Sequence, residues 1–75
     1  MKTTDFILID PKATLGKGLV TAPFVRIGRC HIGDSCKLHS YVEIDDGVTI
    51  GRNVKIQSHV MVPHGVTLED GVFVG

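Results

Sequence analysis

Taking every sixth residue from Ile32 gives Ile32, Leu38, Ile44, Ile50, Ile56, Val62, Leu68 and Val74, an aliphatic side chain each time. Roughly three residues in ten of this chain are Ile, Leu or Val, so such a run has a chance probability on the order of one in ten thousand. A second column lies four residues after each member of the first: Cys36, Val42, Val48, Val54, Val60, Val66 and Val72. The positions between are mostly polar, Gly, Asp, Asn, Ser and His among them. A six-residue step does not suit a helix, because inward positions would drift around a 3.6-residue turn. It suits very short strands joined by tight turns, with Gly, Asp and Asn supplying the turn conformations. The pattern therefore predicts an all-β solenoid whose rungs stack their aliphatics into one core.

The N-terminal part keeps the step in another phase, through Ile9, Leu15, Thr21 in the degenerate "TAPFVR", and Ile27. From Ile27 to Ile32 is five residues, so one residue is missing at that corner. Because each later repeat keeps its own phase, the deletion predicts a local distortion that leaves the following rungs facing the right way. Residues 1–8 read as a lead-in strand and 9–75 as the repeat domain.

A chain of 75 residues buries little surface by itself, which makes oligomerisation the expected support. Its two cysteines are too few for a disulfide framework. Cys30 and Cys36 occupy the small-residue inward position and, lying on neighbouring corners, are expected as free thiols in the core. Eight basic and eight acidic residues cancel, and no basic stripe runs along the chain; nucleic acid is not an expected partner. The apolar run Phe6 to Ile9 is too short for a signal core or a membrane span, so the cytoplasm is the expected location. Low aromatic content, three Phe, one Tyr and no Trp, points to a core of stacked aliphatics.

Units such as Ile50-Gly51-Arg52-Asn53-Val54-Lys55 and Leu68-Glu69-Asp70-Gly71-Val72-Phe73 resemble the hexapeptide-repeat acyltransferases. The resemblance covers about residues 9 to 75. It implies a left-handed parallel β-helix, here of about four coils with three hexapeptides each, and a homotrimer with active sites between subunits. The stretch "VKIQSHVMVPHGVTLEDGVFVG" is most similar to sugar O- and N-acetyltransferases. That likeness implies acetyl-CoA as acyl donor, a sugar hydroxyl or amine as acceptor, and no metal. The resembling enzymes continue into further coils that form the CoA groove, whereas this sequence stops at Gly75. The chain thus reads as a truncated member, with its C-terminal end covered by end-to-end stacking of trimers or by a natural continuation.

With eighteen residues per coil, residues eighteen apart stack at about 4.8 Å. His64 then lies over Asp46, two positions after the aliphatic, where the resembling family carries its catalytic histidine. Acyl transfer from a thioester needs a base for the acceptor's proton, a task suited to histidine, and the Asp46 carboxylate would orient the ring. The alternative for His64 is an ordinary turn histidine. His59 over Tyr41, and Gln57 over His39, are expected to bind substrate or to line a subunit interface. His31, at the shortened corner, has no evident role.

Two other functions fit the same residues. One is a non-catalytic trimeric β-helix module used for assembly. The other is a zinc site like that of the gamma-class carbonic anhydrases, which share the fold, because His59 and His64 followed by Gly65 reproduce a His-x4-His-Gly spacing. Register disfavours the zinc site: the histidines stand three and two positions after their aliphatics, where that family places them two and one after, and a three-ligand site is geometrically demanding.

Overall fold

A computed structural model describes residues 6–75 and contains twelve short strands. The first strand, β1 (Ile7–Ile9), pairs in parallel with β4 (Val25–Ile27), β4 with β7 (Glu43–Ile44), and β7 with β10 (Met61–Val62). A second face stacks β2 (Thr14–Leu15), β5 (His31–Ile32), β8 (Thr49–Ile50) and β11 (Thr67–Leu68). The third stacks β3 (Val20–Thr21), β6 (Lys37–Leu38), β9 (Lys55–Ile56) and β12 (Phe73–Val74). Each strand pairs three strands away in sequence, so the chain winds as a parallel β-solenoid of three four-stranded faces and about four turns, consistent with a left-handed β-helix.

Burial follows the two sequence columns. Val25, Ile27, Ile32, Leu38, Ile44, Ile50, Ile56 and Val62 point inward from the strands, and Cys30, Cys36, Val42, Val48 and Val54 from the corners before them. Toward the solenoid's ends the same columns, at Ile9, Ala13, Leu19, Val60, Val66, Leu68, Val72 and Val74, are only partly covered. Among the described residues no polar or charged side chain is buried. Most backbone groups are satisfied between coils: strands donate to the following coil, as in Thr49 N–H to Val66 O at 3.0 Å, and corners to the preceding one, as in Gly71 N–H to Arg52 O at 2.8 Å, while Ala13, Val66 and Val72 N–H bond within their own corners.

The missing residue is absorbed where the sequence places it. Strands β1 and β4 are offset by eighteen residues, as are β5 and β8, but β2 to β5, β3 to β6 and β4 to β7 are offset by seventeen, as in Thr14 with His31. The corner Gly28–Cys30 turns without the left-handed residue seen directly above it at Gly47 (φ 76°). Its backbone is tied to the next coil by Gly28 N–H to Ile44 O and by Gly47 N–H to Arg29 O, each 2.8 Å. No later rung is inverted. β1 joins the first rung at Ile7; residues 1–5 of the expected lead-in lie outside the described residues.

Cys30 and Cys36 are free and buried, on successive corners. The Cys36 thiol donates to Gly51 O at 3.2 Å. Burial, with the Asp46 and Asp10 carboxylates adding to it, pushes the Cys30 thiol up to about 11.

Candidate active site

The corner after the first face carries Asp45, Asp46 and Gly47 in one coil and Pro63, His64 and Gly65 in the next. His64 is exposed, and its Nδ1 lies 2.7 Å from the main-chain oxygen of Asp46. A carbonyl oxygen only accepts, so in the neutral ring Nδ1 carries the proton and Nε2 keeps the lone pair. Gly47 makes room for the ring: a Cβ there would stand 2.9 Å from His64 Cε1 and 3.1 Å from Nδ1. Histidine in one coil thus depends on glycine in the coil below.

His64 stacks over Asp46 as the eighteen-residue coil requires, but the ring meets the main-chain oxygen of Asp46 and not the carboxylate expected to orient it. The Asp46 carboxylate faces the shortened corner, where its Oδ1 accepts the Arg29 N–H at 2.8 Å. That oxygen fills the space beside Gly28, where an added Cβ would meet it at 2.6 Å. The arrangement recurs at Lys17 N–H to Asp34 Oδ1, 2.8 Å, and at Arg52 N–H to Asp70 Oδ1, 2.7 Å. It is a structural device of the repeat: a carboxylate of one coil caps a main-chain N–H of the coil below. Asp46 therefore serves the fold with its side chain and the histidine with its main chain.

His59 stacks on Tyr41 with ring centroids 4.9 Å apart, as the coil map predicts. The stack continues. Tyr41 lies on Phe24 at 5.2 Å and Phe24 on Phe6 at 5.0 Å, with interplanar angles of at most 8° throughout. All four residues hold left-handed backbone at the corner before the first face, with φ of 57°, 65°, 62° and 61° from Phe6 to His59. β-Carbon sterics disfavour that region for bulky residues, so this column accepts strain at every level. Three of the chain's four Phe and Tyr residues stand in it. The sequence signal was the interval 18, 17, 18 between the rings, disguised by the deletion.

His59 and His64 flank the first face at opposite corners, two residues before and two after β10, and do not converge within one chain. His39 begins the same corner as Tyr41, with its N–H bonded to Ile56 O at 3.0 Å; Gln57 is half-buried one coil along and its N–H bonds Val74 O at 2.9 Å. His31 points outward from the second face. Among the described residues no three His, Cys, Asp or Glu side chains gather as a metal site. One open, mainly apolar groove of about 280 Å³ runs between the aromatic column and the first face, along Phe24, Tyr41, Arg26 and Glu43. A second, more polar one of about 310 Å³ is lined by Asp10, Arg26, Gly28 and Asp46. Neither has His64 in its lining.

Three parallel faces wound from six-residue repeats define a hexapeptide-repeat solenoid. Residues 29–64 match the family model described as bacterial transferase hexapeptide, six repeats. That stretch, 36 of the 75 residues, carries the six-residue repeat the family model describes. Among solved structures it is similar to serine acetyltransferase isoform 3 from Entamoeba histolytica, crystallised with cysteine, at 21% identity and a TM-score of 0.41. The match covers 91% of this chain and 34% of that one, so the chain spans about a third of that enzyme's length. No curated protein matches.

Proposed function

We propose that the chain forms part of a cytoplasmic, homotrimeric acetyl-CoA-dependent transferase that acylates a sugar hydroxyl or amine, with His64 as general base. The observation that carries this reading is the Nδ1 contact to the Asp46 carbonyl, which leaves Nε2 as the lone-pair nitrogen of an exposed ring. The acceptor's proton passes to Nε2 as its oxygen or nitrogen attacks the thioester carbonyl. The carbon–sulfur bond then breaks, and the leaving thiolate takes the proton from the imidazolium. The main-chain bond to Asp46 holds the ring's orientation through both transfers, the role a second group plays in any oriented base. The family resemblance of the "IQSHVMVPHG" stretch supports the donor and the acceptor class.

A second reading, a non-catalytic trimeric module, is favoured by one observation: His64 stands on an open corner, outside the lining of both grooves described above. The test is thiol release from acetyl-CoA by the purified protein with glucosamine-type and serine-type acceptors, alongside the His64→Ala variant. Turnover lost on that substitution supports the transferase. Absence of turnover, with no acetyl-CoA binding by calorimetry, leaves the assembly module.

A further inference from the structure

The three outward faces differ in what they could offer to a second copy of the chain. On the second face the outward column is Thr14, His31, Thr49 and Thr67, polar throughout. The third face presents Val20, Lys37, Lys55 and Phe73, with the two lysines in direct register on neighbouring strands. Two copies meeting there would bring four ammonium groups together, and like charges across an interface repel. The first face presents Leu8, Arg26, Glu43 and Met61. Its two charges are opposite and form an ion pair with each other, and apolar side chains bound them on both sides.

The aromatic column borders this same face. Phe6, Leu8, Phe24, Tyr41 and Met61 make up most of the large hydrophobic side chains left exposed among the described residues, and all lie on the first face or at its leading corner. Clustered exposed apolar area of this kind marks an interaction surface, whereas Leu15, Val20 and Phe73 are dispersed over the other two faces.

We infer that the first face and its aromatic corner are the surface by which copies of this chain pack on one another. The occupant is a second copy because the patch can complement itself around a ring: Arg26 of each copy can meet Glu43 of the next, and the flanking apolar groups match in kind. The packing would also explain why bulky rings occupy left-handed corners, since burial at an interface offsets strain that a solvent-exposed column would bear alone. His64 sits at the far corner of the same face, so the neighbouring copy would stand at the rim of its site. The inference rests on the homo-oligomer of the proposed function and adds the face it uses.

The experiment measures mass in solution by sedimentation for the wild type, Met61→Asp and Leu8→Asp on the first face, and Val20→Asp and Phe73→Asp on the third. All are changes at exposed positions. The expected result is an oligomer that the first-face variants weaken by roughly ten-fold or more and the third-face variants leave intact. Should either aspartate variant unfold, a nitroxide at Met61→Cys is expected to be immobilised in the oligomer while one at Val20→Cys stays mobile. A wild type that stays monomeric at tens of micromolar overturns the inference together with the homotrimer it rests on, whereas dissociation by third-face but not first-face changes keeps a homo-oligomer and overturns the inference alone. An oligomer of the expected kind without acyl transfer would refute the catalytic reading alone.

Discussion

His64 is held by the main-chain oxygen of Asp46, 2.7 Å from its Nδ1, while the Asp46 carboxylate turns away to cap Arg29. The two halves of Asp46 can therefore be separated by substitution. Asp46→Asn keeps an Oδ1 acceptor for the Arg29 N–H and leaves the carbonyl untouched, so transferase rate and melting temperature should both stay near wild type. Asp46→Ala should lower stability by about 1 kcal/mol with the histidine still in place. His64→Ala should cost on the order of a hundred-fold or more in kcat with unchanged stability. Steady-state kinetics and thermal melts on the three variants give the answer; a collapse of kcat in Asp46→Asn would return the carboxylate to the mechanism.

Glycine 28 lies against that same carboxylate. A Cβ there would come within 2.6 Å of Asp46 Oδ1, 3.0 Å of Ile44 O and 3.1 Å of the Asp45 carbonyl carbon. Two of those three are main chain of a paired coil, which cannot move aside cheaply. Gly28→Ala should destabilise by about 2 kcal/mol or more, within the range for overpacking a close-packed site. Gly65→Ala makes the control: nothing lies within 4 Å, and only its φ of 80° opposes a side chain, so its cost should be about 1 kcal/mol. Urea titrations compare the two.

Ser35 holds a φ of 61° without taking part in the aromatic column. Ser35→Gly should stabilise by up to about 1 kcal/mol, because glycine relieves the steric penalty of the left-handed conformation. Tyr41→Gly relieves the same strain, at φ 62°, yet removes the ring between Phe24 and His59. Ring pairs of this kind contribute about 0.5–1.5 kcal/mol each, and Tyr41 makes two, so this variant should be destabilised. Opposite signs in denaturant midpoints would establish that the column compensates its own backbone.

Cys30 gives the fold an alkaline limit. Its folded-state value is raised from 9.0 to about 11, by burial first and then by Asp46 and Asp10. A thiol raised on folding favours the native state fully below the unfolded value, and the contribution is lost as pH rises through the folded one. Stability should therefore fall between about pH 9 and 11 in the wild type, and fall less in Cys30→Val, a residue the same column carries elsewhere. Melting temperatures of both proteins across that window provide the test. A Cys30 that reacts with a thiol reagent at pH 8 as fast as a free peptide thiol would contradict the burial.

The six-residue columns, the single deletion between Ile27 and Ile32, and the stacking of His64 over Asp46 and of His59 over Tyr41 were all legible in the chain. Inward positions are chosen by burial of apolar area, a demand that repeats with the backbone and so leaves a period in the residues. Given a coil length, stacking follows by counting. The atom of Asp46 that meets His64 was not legible, because carboxylate and carbonyl compete for the same neighbours and the choice turns on distances near 2.7 Å. The four-ring column also escaped, because the 17-residue coil that aligns Tyr41 with Phe24 exists only once the shortened corner has closed. The sequence by itself determined the solenoid and its core, since hydrophobic periodicity acts residue by residue. Only the tertiary structure decided which polar atoms face His64 and which exposed side chains gather on one face, since both depend on contacts between coils.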